Sequence, residues 1–295
     1  QVLLVQGSSQ GLDLAARCLV RAGDKVLVDT PCYANLLQSL RFLGAELIGV
    51  PRTPQGWDLA ALDRLAETHR PRVLFTQPRL HCPTGASAQL SQLHQVVRLA
   101  EKHDLVVVEN DIYSELDPLA RPSLASLDQL QRVVHIGSFS KTVSPNLRVG
   151  YLAASPGLLD DLAQLKVISG LTSAEFSERL ALGTVTDGRW PKHVKSLRDR
   201  LAAAHDTVTS RLLGLGFELF CEPKAGLFVW ARHPRLPDSA ALALEAATQG
   251  ILLGPGHLFD TDDAGPGPWF RFNVAFSLDD TLYEFLARAI ARRGS

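Results

Sequence analysis

The sequence of 295 residues contains no methionine and only four cysteines. The cysteines are widely spaced and form no CxxC pair, which favours reduced thiols in the cytoplasm over a disulfide framework. The nine histidines show no HExxH or similar spacing, and we therefore expect no metal site. Because the chain opens with Gln1 in a strand-like segment, QVLLVQG, we expect further sequence upstream.

Long apolar runs and blocks of like charge are also lacking. No apolar run approaches the ~18 residues of a membrane span, and no leader of basic then apolar residues opens the chain. Thirty basic and 31 acidic residues leave a formal charge of −1, with no cluster of either sign. We therefore expect a cytoplasmic protein without membrane contact and without nucleic-acid contact from this chain itself.

Apolar residues make up 46% of the sequence, enough for a large core and two domains. To about residue 155, short β-rich runs alternate with amphipathic segments of helix length, which predicts a mainly parallel sheet with helices on both faces. The runs are VLLVQ, KVLVDT, RVLFTQ, LVVVEN, RVVHIG and VGYLAA. Ligands of such α/β sheets bind beyond the carboxyl ends of the strands.

The pattern changes towards the C-terminus. A helical region over about 158–213 precedes short strands interrupted by glycine and proline, such as GLFVWA and WFRFNVAF. These predict a smaller α+β domain with a loop over 260–268. We divide the chain into a large domain, residues 1–210, and a small C-terminal domain, residues 211–295.

Polar or aromatic side chains follow the predicted strands. Ser8 and Ser9 come between VLLVQ and a helix, where backbone N–H groups and hydroxyls suit a phosphate, although a plain turn with an N-cap is the commoner meaning. Tyr33 follows KVLVDT and suits a planar ligand, or equally an apolar core. Asp111 and Tyr113 follow LVVVEN, where a buried carboxylate needs a cation or a protonated nitrogen; a simple loop aspartate is the alternative.

The most informative segment is GSFSKTVSPNLRVGY, which follows RVVHIG. Ser138 and Ser140 can donate hydrogen bonds to a phosphate, and Arg148 can hold the same group bidentately. Lys141, one of only seven lysines, would then lie beside the phosphate in a partly dry cleft that favours its neutral, nucleophilic form. A lysine in a turn is usually only solvated, so its neighbours carry the argument.

Taken together, these segments resemble the fold-type I pyridoxal-phosphate enzymes of the aspartate aminotransferase superfamily, and more closely class I and II aminotransferases. The resemblance covers nearly the whole chain, with the motifs in the family's order. It implies that Lys141 carries pyridoxal 5'-phosphate as a Schiff base, in the large domain. The implied phosphate cup comprises Ser8, Ser9, Ser138, Ser140 and Arg148.

The resemblance also implies roles around the ring and the substrate. Asp111 would pair with the pyridinium nitrogen and Tyr113 with the phenolic oxygen, while Tyr33 would stack on the ring. Arg271, in WFRFNVAF, would bind the substrate α-carboxylate. Lys141 would carry the proton between Cα and C4′, and the site would lie at the subunit interface of a homodimer.

Two positions depart from the family pattern. Cys82 stands before PTG, where an asparagine that bonds the cofactor's phenolic oxygen is usual, and a thiol is a poor donor. Asn110 stands three residues before Tyr113, where many relatives have the aspartate. We assign the pyridinium partner to Asp111, two residues before Tyr113, because only an acid can balance the pyridinium charge.

Three functions remain open. The first is a PLP-dependent aminotransferase acting on an α-amino acid and a 2-oxo acid. The second follows from QPRLHCPTG and VVVENDIYSEL, which look closest to the aminotransferase-like domains of MocR regulators. Such a domain senses an effector, and DNA would be bound only by a GntR-type domain missing from this chain. The third is a doubly wound domain that binds a nucleotide or nothing.

Overall fold

The computed structural model describes residues 1–262 and 265–293. Asp263 and Ala264, which fall in the predicted loop over 260–268, lie outside the described residues, as do residues 294–295. Within the described ranges, no helix is both long and apolar enough to cross a membrane.

Eight strands form the first sheet. In chain order they are β1 (Val2–Val5), β2 (Lys25–Thr30), β3 (Glu46–Thr53), β4 (Gly56–Trp57), β5 (Val73–Thr76), β6 (Val106–Asn110), β7 (Val133–Ser138) and β8 (Gly150–Ala153). They lie in the order β1-β8-β7-β6-β5-β2-β3-β4. The five strands from β7 to β3 run parallel, whereas β8 and β4 are antiparallel to their neighbours. The sheet is therefore mainly parallel, as predicted.

Helices cover both faces of this sheet. They are α1 (Gly7–Leu19), α2 (Ala34–Phe42), α3 (Leu59–His69), α4 (Leu90–Lys102), α5 (Leu124–Asp128) and α6 (Pro156–Gly170). Two further helices follow, α7 (Glu175–Thr186) and α8 (Trp190–Gly214), and most of the buried residues of α8 belong to the core of the second sheet. Val26, Leu27 and Val28 of β2 are all fully buried, because helices on both faces leave no solvated side. This double burial explains why the central strands form continuous apolar runs in the sequence.

A second sheet follows. Its strands are β9 (Glu218–Leu219), β10 (Phe228–Arg232), β11 (Gly254–Pro255) and β12 (Trp269–Asn273), and its helices are α9 (Ser239–Ala247) and α10 (Asp280–Arg292). The strands lie in the antiparallel order β11-β12-β10-β9. Since α8 continues through residue 210, the division of the chain at that position stays a prediction.

One long strand, β3, is not among the predicted strands. Its sequence, ELIGVPRT, contains Gly49 and Pro51, and most of its residues are partly or fully exposed because it lies next to the edge strand β4. A strand without a continuous apolar run or a clear alternation has a weak sequence signal. The two-residue edge strand β4 was not predicted either, and the other six strands of the first sheet match predicted runs.

Candidate functional site

A cavity of about 300 Å³ opens at the carboxyl ends of β5, β6 and β7, where β12 of the second sheet faces them. Its lining residues are Ser8, Ser9, Tyr33, Gln77, Cys82, Asn110, Ile112, Tyr113, Ser140, Lys141, Arg148, Phe228, Arg271 and Asn273. The structure thus brings together nine of the predicted site residues, which lie up to 263 positions apart between Ser8 and Arg271. It leaves Ser138 and Asp111 outside the lining.

The N-terminus of α1 forms one end of the cavity. No side chain caps this helix, and Ser8 and Ser9 lie in its first turn. Arg148 donates from Nη2 to the backbone oxygen of Gln6 at 3.3 Å and from Nη1 to Ser140 Oγ at 3.5 Å. Free N–H groups, hydroxyls and a guanidinium together make this end suitable for a phosphate.

Gly7 allows Arg148 to lie across this helix end. The glycine has a φ of +73°, which L side chains rarely adopt, and a Cβ at this position would lie 2.6 Å from Arg148 Nη2. The anion site therefore depends on the absence of a side chain at residue 7.

Lys141 lies in the loop after β7, at the cavity mouth. Its Nζ is 6.0 Å from the ring centroid of Tyr113. Partial desolvation lowers the pKa of Lys141, and the positive charges of Arg148 and Arg271 add to this effect. A lowered pKa increases the fraction of neutral amine, which is the nucleophilic form.

Arg271 extends into the cavity from β12. Its guanidinium carbon lies 4.6 Å from the ring centroid of Phe228 and 4.9 Å from that of Phe259, and Nη1 donates to Cys82 Sγ at 3.6 Å. Its buried Nε has no hydrogen-bond partner, and no carboxylate lies within ion-pairing distance in the part of the chain that the structure describes. A guanidinium held between aromatic rings without a counter-ion is suited to a ligand carboxylate.

Asn110, and not Asp111, faces the cavity, which corrects the prediction. Side chains alternate across a strand, so Glu109 and Asp111 lie on one side of β6 while Asn110 lies on the other. The Asn110 Oδ1 is buried and has no hydrogen-bond partner in the described residues. The sequence signal for this position was its spacing of three residues from Tyr113.

Asp111 instead belongs to a buried charge cluster behind the cavity. Its Oδ1 lies 2.7 Å from Arg79 Nε, and an oxygen of Glu109 lies 3.0 Å from His135 Nδ1. Burial and the neighbouring Glu109 carboxylate raise the pKa of Asp111 to about 7, against the opposite effect of Arg79. The cluster therefore serves the fold behind β6.

Ser138 stabilises the turn after β7. Its Oγ accepts a hydrogen bond from the backbone N–H of Ser140 at 3.1 Å, so it shapes the turn that presents Ser140 and Lys141. It is not among the residues that line the cavity, and its place in the phosphate cup stays a prediction.

Sequence reasoning missed Gln77, Ile112, Phe228 and Asn273. Gln77 positions the loop of Cys82: its Oε1 accepts from the Cys82 backbone N–H at 3.2 Å, and its own backbone N–H donates to Asp29 Oδ2 at 2.9 Å. Nothing in the local sequence marks these four residues, because their neighbours in the cavity come from distant strands.

Comparison with known proteins places this geometry in a family. Residues 1–290 match the model of a protein family described as "Aminotransferase class I and II". The chain belongs to the class I and II aminotransferase family. Membership confirms the predicted resemblance and the fold-type I architecture, and it implies pyridoxal 5'-phosphate as the cofactor.

Relatives of this aminotransferase-family chain include both enzymes and regulators. It is 30% identical over 276 residues to a 2-aminoadipate transaminase of Thermus thermophilus, covering 90% of this chain and 68% of the relative. It is also 30% identical over 285 residues to YdfD, an uncharacterized HTH-type transcriptional regulator of Bacillus subtilis. That match covers 95% of this chain but only 58% of YdfD.

A solved structure shows the same fold. The kynurenine aminotransferase of Pyrococcus horikoshii, determined in complex with PMP, has a TM-score of 0.92 to this chain at 26% identity. The likeness covers 100% of this chain and 76% of that one. The match of these folds supports the comparison of their sites.

The cavity fits the family's cofactor. The α1 terminus and Arg148 suit its phosphate, and the lowered pKa of Lys141 favours covalent attachment to an aldehyde. Arg271 has an unpartnered Nε and is available to bind the carboxylate of an amino acid. Asn110 has an unpartnered Oδ1, and its amide is available to bind a polar atom of the ring. The uncharged Asn110 thus lines the part of the cavity to which the prediction assigned the acid Asp111.

Proposed function

We propose that this chain catalyses amino-group transfer between an α-amino acid and a 2-oxo acid with pyridoxal phosphate attached at Lys141. The observation that carries the proposal is Arg271, whose guanidinium lies without a counter-ion in the same cavity as Lys141. A cavity that combines a phosphate site, a low-pKa lysine and a free carboxylate receptor matches the three functional groups that cofactor and substrate bring together.

The residues that line the cavity have distinct tasks in that reaction. Ser8, Ser9, Ser140 and Arg148 hold the phosphate. The cofactor, when bound, withdraws electrons from the substrate Cα. Arg271 fixes the substrate carboxylate, which orients the Cα–H bond. Lys141, once the substrate amine has displaced it, would accept the proton from Cα and deliver it to C4′ of the cofactor, with Tyr113 and Tyr33 forming the aromatic walls.

The test is production of a 2-oxo acid. The protein is loaded with pyridoxal phosphate, separated from excess cofactor and incubated with a panel of amino acids. We expect one or more amino acids to yield their 2-oxo acids in amounts that match the bound cofactor, with Lys141→Ala inactive. If no amino acid yields a 2-oxo acid, amino-group transfer is contradicted.

A sensor domain is the second candidate function. It is favoured by a specific observation: among the described residues, no carboxylate lines the cavity, although three cations do. The likeness to an HTH-type regulator supports the same function. An amino acid that binds reversibly, perturbs the cofactor spectrum and yields no 2-oxo acid would favour this candidate, with a DNA-binding domain outside this chain.

We also propose that the chain acts in the cytoplasm as a homodimer. An apolar patch over 167–182, at the end of α6 and along α7, includes Ile168 and Phe176, which are 82% and 76% exposed. The patch adjoins the Lys141 loop, because α7 packs on the 3₁₀ turn Pro145–Leu147 just before Arg148. A second copy seated here would cover the patch beside the site.

A further inference from the structure

The charge of the cavity wall is one-sided. Arg148 and Arg271 bring two permanent positive charges, Lys141 brings a third while it is a free, protonated amine, and no aspartate or glutamate lines the cavity in residues 1–262 and 265–293. The other titratable residues of the lining are Tyr33, Cys82 and Tyr113. Burial raises the pKa of each of them, so all three are uncharged at neutral pH. The wall thus favours anionic groups and disfavours any further proton on a bound ligand.

The acids nearest to Asn110 are unavailable. Asp111 lies on the side of β6 that faces away from the cavity, where it pairs with Arg79. Asp29 lies across a small recess from Asn110, but its oxygens accept hydrogen bonds from Trp57, Thr76 and Gln77, each at 2.9 Å. Neither carboxylate can reach the cavity without losing these buried partners, which is costly.

Asn110 therefore supplies the polar group on this part of the wall. Its amide lies at the carboxyl end of β6, with Oδ1 buried and unpaired among the described residues. An asparagine amide can donate hydrogen bonds through its NH2 group and accept them through its oxygen, but it has no negative charge to offset the cations of the wall. Its amide N–H can donate to an unprotonated ring nitrogen, whereas its oxygen offers a protonated ring nitrogen only a neutral acceptor.

We infer that Asn110 leaves the ring nitrogen of bound pyridoxal phosphate unprotonated at neutral pH, and that it thereby slows amino-group transfer at this site. The inference rests on the proposed function. A neutral ring withdraws electrons from Cα less strongly than a protonated ring, so Lys141 removes the Cα proton slowly. The amino acid consequently stays bound for longer before reaction, which suits ligand retention better than rapid turnover.

The direct test is the protonation state of the ring nitrogen. The protein is loaded with pyridoxal phosphate carrying ¹⁵N in the ring, and covalent attachment at Lys141 is checked by mass spectrometry. The ¹⁵N resonance is then recorded at pH 7. We expect the wild type at the position of the unprotonated ring and Asn110→Asp at the position of the protonated ring, as calibrated with the free cofactor in base and in acid.

The matched control is Asp111→Asn, which removes the neighbouring carboxylate. Its resonance should equal that of the wild type; if this variant does not fold, the comparison of wild type with Asn110→Asp stands alone. A carboxylate raises the pKa of a nearby cationic acid by about 1–3 units, so Asn110→Asp should speed 2-oxo acid formation about tenfold or more.

Two results would overturn the inference while leaving the proposed function intact. One is a protonated ring nitrogen in the wild type at pH 7, and the other is an unchanged resonance in Asn110→Asp. Failure of the cofactor to attach to Lys141 is a different result, since it contradicts the proposed function and with it the basis of this inference.

Discussion

Lys141 shows how a short segment can prepare a side chain for chemistry. It lies three residues after the end of the buried strand β7, in a turn that Ser138 stabilises by accepting a hydrogen bond from the Ser140 N–H. The strand fixes its position, and the cavity wall with Arg148 and Arg271 lowers its pKa. Lys141 and Arg148, seven residues apart in the sequence, line the same cavity. The predicted phosphate site lies where these two side chains meet the N-terminus of α1.

The first prediction concerns the pH dependence of cofactor attachment. Since the pKa of Lys141 is lowered, the neutral amine is present at lower pH than in an ordinary lysine, whose pKa is 10.5. The rate of attachment should rise with pH and reach its half-maximum below 10.5. Stopped-flow absorbance after mixing with pyridoxal phosphate measures it, with N-acetyl-lysine amide as the reference. A half-maximum at or above the reference value would be inconsistent with this environment.

The second prediction concerns Arg271. Arg271→Gln removes the free guanidinium and with it a charge-assisted hydrogen-bonded pair worth about 1.5–3 kcal/mol. The amino-acid concentration at half-saturation should rise about 10- to 150-fold. Titration of the cofactor spectrum with amino acid measures this value.

Arg232→Gln is the matched control, because Arg232 lies on the neighbouring strand β10 but pairs with Glu218 at 2.8 Å on the surface. It should leave the half-saturation unchanged. Equal effects of the two variants would remove Arg271 from the substrate site.

At the level of elements, the N-terminus of α1 acts as one unit with Arg148. The third prediction is that Gly7→Ala weakens cofactor binding about tenfold or more, because the new Cβ displaces the guanidinium and one charge-assisted contact is lost. Equilibrium dialysis with pyridoxal phosphate measures the affinity.

Gly23→Ala provides the control for backbone strain. Gly23 has a φ of +85° but no atom within 4 Å of a new Cβ, so both variants should lose about 1–2 kcal/mol of stability and only Gly7→Ala should lose affinity. An equal loss of affinity in both would mean that strain, and not Arg148, limits binding.

The strand β6 shows what the sequence could and could not predict at this scale. Its apolar run predicted the strand, and its end predicted a polar site residue, both of which the structure contains. The choice between Asn110 and Asp111 depends on which side of the sheet faces the cavity. We preferred the acid for its charge, whereas the alternation of side chains along the strand places the amide in the cavity.

At the level of the whole molecule, the fold was predictable because the central strands are buried on both faces and the motifs occur in order. The β3 strand was not, since its glycine, proline and partial exposure hide it. The second wall of the cavity was predictable only in part: Arg271 followed from the family resemblance, but Phe228 and Asn273 come together through tertiary packing alone.

The fourth prediction concerns assembly. In a two-fold dimer each buried side chain counts twice, and each contributes about 1.5–3 kcal/mol. The double variant Ile168→Glu/Phe176→Glu should therefore sediment as a monomer, whereas the wild type sediments as a dimer. Phe42→Glu, which changes a side chain that is 97% exposed outside the patch, should stay dimeric. A cofactor-loaded wild type that sediments as a monomer would refute the dimer.

The most direct measurement for the central claim is the site of cofactor attachment. The protein is incubated with pyridoxal phosphate, reduced with borohydride, digested and mapped by mass spectrometry. We predict that the label lies on the peptide containing Lys141 and that Lys141→Ala, which keeps its fold by circular dichroism, carries none. A label that is absent, spread evenly over the other lysines or retained in Lys141→Ala would contradict the account.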